Sequence, residues 1–509
     1  MLLKHLAIRV VLLCSLVQGG GPPQTSSQPY NLNLRQNTLD PSARWLVQKF
    51  GGTSVGKYPV DIASIVARYM DADTKVAIVC SARSGSTKAL GTTSLLLRAA
   101  SEVQRRTRRA DEAPWDEGSD STEYVFHTTV DLILEEHLTA ARASVKDADI
   151  LHELGVEISR DCAWLRSFLR TLQIAGQPIS AQDKDVLVGL GERLACKLMT
   201  AVLRDQGIDA ECISLENIIA GDDEPDGPPS SGFYTRIARA VGERIKQCGS
   251  CVPVVTGFFG PVPGSLLRHV GRGYTDLLAA LLAVSLNARE LQIWKEVEGI
   301  FTADPHKVPT ARLIPVISAA DAAQLTYYGS EVVHPLAIEQ AGRDIPIRIK
   351  NVRNPDGGGT LIIWDQGNDL STIAVSVKEP IVVLTTPHKH STHGFLAHII
   401  TILDQFGVVV DLMSSNLVHV RISIEDSLEE SSFDALLGEL QRGATVTVKR
   451  DMAIVSLVGR HRAGCMLVTL AQAGISVEMI SQDASVLCVV EGQDSFRALN
   501  LIHEACSEP

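Results

Sequence analysis

The chain of 509 residues is poor in aromatic side chains, which make up 5% of it. It has no apolar run of the roughly 18 residues that a membrane-spanning helix needs, which argues against an integral membrane protein. Positive charge is not in excess either: 47 Lys and Arg stand against 59 Asp and Glu, for a net charge of −12. Nucleic-acid surfaces depend on cationic contacts to phosphate, so no nucleic-acid partner is expected. Close cysteine pairs are scarce. Only Cys248 and Cys251, in Cys-Gly-Ser-Cys, stand near each other among ten cysteines. Without a second pair at ligand spacing they read as two reduced thiols in a loop, and no metal ligands are assigned. Scattered unpaired cysteines suit a reducing compartment, and a cytoplasmic location is expected. A Walker A loop is missing. So is a dinucleotide fingerprint, because Leu194 fills the third glycine position after Gly189 and Gly191.

Apolar residues make up 45% of the chain, enough for several packed cores, and the length allows two to four domains. Residues 1–43 are expected to form a leader, disordered or targeting. Lys4 and Arg9 flank a short apolar stretch there, and the first acidic residue is Asp40. Beyond it, strands are expected at 45–50, 75–80, 252–256, 291–294 and 345–349. Helices are expected at 61–70, 192–203 and 275–286, with mostly helical spacing over 125–175. Strands alternating with helices predict an α/β fold, a three-layer α/β/α sandwich. Residues 353–360, Arg-Asn-Pro-Asp-Gly-Gly-Gly-Thr, read as a boundary. A repeat follows: Leu403–Ser414 matches Leu470–Ser481 at a constant offset of 67 residues, each copy a helix end, a glycine cap and a strand.

Five motifs are candidates for chemistry. Lys49-Phe-Gly-Gly-Thr-Ser-Val55 carries a strand into glycines whose amides can approach phosphate oxygens, with a lysine to add charge; a lone Gly-Gly is more often just a turn. Gly271-Arg-Gly-Tyr-Thr-Asp276 opens a helix with a cation and amide donors, although Thr275 or Asp276 alone would read as a helix cap. Gly191-Glu-Arg193 is placed at a helix start, where Glu192 either holds an amine or merely suits the dipole. Residues 294–307 form a polar loop able to enclose a nucleotide, or a plain surface loop. Tyr327–Pro335 contains His334, an acid–base candidate or a structural histidine beside proline.

Together with Val79-Cys-Ser-Ala-Arg-Ser84 and Thr256-Gly-Phe-Phe-Gly260, these motifs resemble the fungal-type aspartokinases over roughly residues 44–506. The resemblance implies an amino acid kinase domain over 44–362. Two ferredoxin-like βαββαβ ACT modules would follow, at 376–447 and, shortened, at 448–509. It implies phosphorylation of the β-carboxylate of L-aspartate by ATP with Mg2+, on the way to threonine and methionine, by a homodimer or higher oligomer. Lys49, Arg272 and Asp276 would be catalytic, and Ser81, Ala82, Thr87, Glu192, Phe258 and Thr275 would line the aspartate pocket with the latter two. Gly51, Gly52 and Ser54 would join Lys49 at the phosphates. Lys295, Glu296, Phe301, Asp304, His306 and Lys307 would hold the nucleotide. Ser414, Asn416, Leu417 and Ser481 would be regulatory, with threonine as effector.

The sequence departs from that pattern in places. Val297-Glu298-Gly299 and Asp304-Pro305-His306 stand where Val-Asp-Gly and Asp-Pro-Arg are usual, and Asn416-Leu417 where Ser-Glu is usual. Weakened feedback, as in a specialised paralogue, is therefore expected. Two other readings stay open: a kinase for another amino-acid carboxylate, and a catalytically silent ACT-containing regulatory protein.

Overall fold

The computed structural model describes residues 34–506 except 86, 88–89, 113–124, 177, 220–228, 261, 263–264, 330–332, 365–372, 388–393, 416–418, 460–462 and 483–484. Residues 1–33, most of the stretch expected as a leader, lie outside the described residues, while Arg35 bridges to Ile208 and Asn37 bonds Val76. Among those described, no helix is long and apolar enough to cross a membrane.

Two sheets organise the chain. The first has eight strands: β1 (Arg44–Phe50), β2 (Thr74–Cys80), β3 (Ala210–Ile213), β4 (Val252–Thr256), β5 (Glu290–Lys295), β6 (Val316–Ser318), β7 (Ile347–Asn351) and β8 (Thr360–Ile363). They lie in the order β3-β4-β2-β1-β5-β7-β8-β6, parallel throughout except where β7 meets β8. The central strands are near-continuous apolar runs because helices cover both of their faces. Side chains alternate between those faces. Val47, Ala77, Val79, Val255 and Ile293 join one core, with the helices Ser231–Lys246 and Tyr274–Ser285. Phe50, Ile78, Cys80, Val254 and Trp294 join the other, with Pro59–Tyr69 and Ala181–Asp205. This is the expected α/β/α sandwich. Residues 345–349 do not end it: β8, just past the glycine-rich turn, adds one more strand against β7.

The largest local difference from the sequence reading is the helix Ala181–Asp205. A helix start was expected at Gly191. The helix begins ten residues earlier, where Ser180 and Asp183 form a capping box. Gly189 and Gly191 are interior helical residues, present for closeness rather than for a turn. A Cβ at Gly189 would stand 2.3 Å from Phe258 Cδ1. Glu192 is therefore mid-helix, which removes the dipole explanation for it.

The second sheet comprises β9 (Ala374–Pro387), β10 (Val410–Ser415), β11 (His419–Glu425), β12 (Thr447–Val458), β13 (Met479–Gln482) and β14 (Ser485–Glu491). All are antiparallel, in the order β10-β11-β9-β12-β14-β13. The two repeats share strands. Residues 381–387 of β9 pair with β11, while 374–378 pair with 454–458 of β12. A cut between 447 and 448 thus runs through one continuous sheet. Gly407 and Gly474, equivalent in the repeat, both close their helices with positive φ. Cys465 and Cys506 form a disulfide between the helices Ala463–Gln472 and Gly492–Cys506. That corrects the reading of every cysteine as unpaired.

Candidate active site

In open parallel sheets, ligand sites form beyond the carboxyl ends of the strands. There the structure gathers Lys49 of β1, Ser81 and Ala82 after β2, Phe258 after β4 and Lys295 of β5. Lys49 shares the parity of Val47, so its side chain leaves the face covered by Tyr274–Ser285. It meets Asp276 of that helix, Nζ to Oδ1, at 2.6 Å, with both groups buried. Burial opposes ionisation of Asp276, but Lys49 and then Lys295 hold its carboxyl below the ordinary value. The backbone amide of His334 also donates to Asp276 Oδ2, at 3.4 Å.

Thr275, one residue earlier, donates from Oγ1 to Glu192 Oε1 at 2.6 Å. Neither Thr275 nor Asp276 caps its helix; the N-cap is Gly273. Glu192 is 1% exposed. Burial drives its carboxyl up to about 7, the hydroxyl of Thr275 offsetting only part of this. Its Oε2 accepts no hydrogen bond among the described residues. A buried carboxylate oxygen without a donor costs free energy unless a cation or a donor from a ligand completes it.

The glycine loop is fixed by neighbouring backbone. Gly51 N–H donates to the Trp294 carbonyl at 3.2 Å, and Ser84 N–H to the Gly52 carbonyl at 2.9 Å. A Cβ at Gly52 would lie 2.3 Å from the Ala82 carbonyl oxygen, so only glycine fits that crossing. Ser54 donates to Glu296 Oε1 at 2.6 Å, which ties the loop to the segment after β5. Thr87 lies in an exposed bend. Arg272 lies in the 3-10 turn 271–273, and its side chain is outside the described residues.

The 294–307 stretch is divided in its contacts. Glu296 and Lys295 stay beside the glycine loop and Asp276. Phe301, Asp304, His306 and Lys307 instead line a cavity of about 220 Å³ with Val375, Val377 and Leu499 of the second half of the chain. Lys307 pairs with Glu379 at 2.9 Å, Thr302 bonds His503 at 2.8 Å, and Ala303 and Val308 enter the core around β12 and β14. Asp304 accepts the His306 amide at 2.9 Å, and Glu298 accepts from Asn351 and Asn354. Of the regulatory candidates, Ser414 lies on β10 and Ser481 on β13; Asn416 and Leu417 are outside the described residues.

One contributor, Asp185, has no sequence signal of its own. Asp185 accepts from the Leu266 and Leu267 amides and the Ser265 hydroxyl, and so anchors the segment leading to 271–276. Phe258 packs edge-on to Tyr274. His334 is structural here: its Nδ1 accepts the Leu336 amide, which caps the helix Pro335–Ala341.

A parallel α/β sheet whose strand ends hold a buried lysine–aspartate pair, a glycine loop and a buried glutamate defines a small-molecule phosphotransferase site. Residues 44–351 match the amino acid kinase family, and residues 455–506 match an ACT domain. The chain is 44% identical to an aspartokinase of Schizosaccharomyces pombe, over 92% of this chain and 94% of that one. Among solved structures, Escherichia coli aspartokinase III in complex with aspartate and ADP superimposes with a TM-score of 0.69. It is 25% identical, over 91% of this chain and 100% of that one. The same enzyme in complex with lysine and aspartate gives 0.66 at 25% identity, over 91% and 99%. The chain belongs to the amino acid kinase family and, within it, to the aspartokinases.

Proposed function

We propose that this protein transfers the γ-phosphoryl group of MgATP to the β-carboxylate of L-aspartate. One carboxylate oxygen forms a bond to phosphorus as the bond from phosphorus to the β-phosphate oxygen breaks, giving 4-phospho-L-aspartate and ADP. The carboxylate is already anionic at neutral pH and needs no general base. What remains is positioning and neutralising the charge spread over the group in flight.

The observation that carries the reading is the pairing of Lys49 with Asp276 beside the unpartnered oxygen of Glu192. Glu192 takes the α-ammonium of aspartate, with Thr275 orienting it. Ser81, Ala82, Thr87 and Phe258 shape the pocket, and Arg272 receives a carboxylate. Lys49 reaches the transferring group with the amide of Gly52, while the Gly51 amide, taken by the Trp294 carbonyl, holds the loop in place. Ser54 and Glu296 set the loop, and Lys295, Phe301, Asp304, His306 and Lys307 receive the nucleotide. Mg2+ arrives with ATP and neutralises phosphate charge; no protein ligand is assigned to it. The catalytic part spans 44–362. The repeats at 376–447 and 448–509 form an ACT pair that takes an amino-acid effector, threonine being the first to test, in a homodimer or higher oligomer.

A hydroxamate assay with ATP, Mg2+ and aspartate tests this, with Lys49→Ala as control. Turnover with aspartate but not with glutamate or other amino acids is expected. Folded wild-type protein that turns over no aspartate refutes the reading, and preference for another amino acid corrects the substrate.

A further inference from the structure

The turn between the helix Ser231–Lys246 and β4 carries Cys248 and Cys251, and the edge strand β3 presents Glu211 to both. Their ligand atoms all lie within 4.8 Å of one another. Both thiols converge on one carboxylate oxygen, Glu211 Oε2, at 3.1 Å from Cys248 and 3.6 Å from Cys251. The other oxygen, Oε1, accepts from Arg244 at 2.8 Å. Cys248 is buried, while Glu211 and Cys251 are half-buried. This cluster adjoins the amino end of β4. The phosphoryl-transfer site lies past its carboxyl end, roughly 15 Å away at the rise of a strand.

We propose that Cys248, Cys251 and Glu211 bind one soft divalent cation of the zinc type, with solvent water as fourth ligand. Three ligand atoms from two separate pieces of chain, the turn 248–251 and the edge strand β3, already lie close together. Around tetrahedral zinc, with bonds of about 2.0–2.3 Å, such atoms stand roughly 3.5–3.8 Å apart, within reach of small side-chain rotations from the present geometry. Two sulfur ligands and one carboxylate favour zinc over magnesium or calcium. Charge also balances. Two thiolates and a carboxylate are neutralised by the cation together with Arg244, which holds the carboxylate from its outer oxygen as second partners of metal sites do.

The helix geometry separates this from a redox pair. Reactive Cys-x-x-Cys thiolates sit at helix N-termini, where the dipole stabilises negative charge. Here the pair follows a helix C-terminus, where the dipole favours a cation. The bound ion ties the edge strand β3 to the start of β4. Binding is thus structural and independent of the kinase reading.

The full chain, reduced and dialysed against chelator, is to be titrated with Zn2+ alone. One equivalent per chain is expected, with two thiols fewer available to alkylation. Co2+ in its place gives a thiolate-to-metal charge-transfer band. Cys248→Ser/Cys251→Ser loses both signals and Cys488→Ser keeps them, while Arg244→Gln weakens Zn2+ binding about tenfold. The thiol count in the wild-type protein needs no variant to fold. Thiols that alkylate equally fast with and without Zn2+, or uptake that persists in the double variant, overturn the proposal.

Discussion

The charged residues at the site make opposite statements about burial: a pair and a lone carboxyl. Lys49 and Asp276 are out of water together and satisfy each other, so removing one leaves the other as an uncompensated charge. Lys49→Met is expected to abolish turnover and to lower stability by about 3 kcal/mol. Adding Asp276→Asn should restore most of the stability and none of the activity, as read by denaturant midpoints beside the hydroxamate assay. Glu192 is buried without a counter-charge of its own. Its carboxyl, raised from 4.5 to about 7, holds a proton in the folded chain that the unfolded chain has lost across that window. Folding stability of the ligand-free protein should therefore fall by roughly 3 kcal/mol from pH 4.5 to 7 on this account, then level off. Glu192→Gln should remove that slope. An ammonium ligand needs the ionised form, so the KM for aspartate should fall as pH rises through 7. An apparent KM for aspartate that stays flat between pH 6 and 8 would separate Glu192 from the ammonium.

At the scale of elements, the helix Ala181–Asp205 shows where sequence periodicity misleads. Gly189-Leu-Gly191 looks like a turn because glycine usually marks one. In the fold Gly189 lets the helix approach Phe258, Gly191 lets it approach Leu96, Ala82 and Thr92, and the helix carries Glu192 to the strand ends. Gly189→Ala must push a methyl into that ring and should cost about 1–3 kcal/mol in a thermal melt. The contrasting change is Gly155→Ala, in the helix Ala148–Ala175, where the nearest atom to a new Cβ is 3.8 Å away. It should stabilise by up to about 1 kcal/mol. Equal shifts for the two variants would mean that closeness to Phe258 is not what selects glycine. Strands were easier to read. β2 and β4 are buried on both faces, and their apolar runs state as much, whereas Gln48 and Lys49 interrupt the run of β1. β8 was missed because four residues after a glycine-rich turn carry too little pattern.

For the whole molecule, the decisive feature is that the stretch after β5 serves two neighbours. Its first residues lie by the glycine loop, and its later ones dock on β9 and the C-terminal helix. A change in the ACT sheet can thus reach the proposed nucleotide residues through Lys307–Glu379 and Thr302–His503 without touching the aspartate pocket. Glu379→Ala removes partners of both Lys307 and Ser495. Because these groups are part-exposed, the expected effect is modest: a two- to fivefold rise in the KM for ATP, the span of about 0.5–1 kcal/mol. The KM for aspartate should hardly move. If aspartate affinity drops equally, the coupling runs through the sheet rather than through this loop.

The layered α/β architecture, the repeat near the C-terminus and the short strings around Lys49, Glu192 and Asp276 are legible in the chain, because each is written in local periodicity or in contiguous residues. That Thr275 and Asp276 serve Glu192 and Lys49 rather than a helix cap emerges from the packed fold. It alone showed that the repeats interleave in one sheet, and that Cys465 meets Cys506. It also brought Glu211 to a cysteine pair 37 residues further on. These are contacts between segments far apart in the chain, set by strand order and by which face a side chain leaves. No local pattern encodes them.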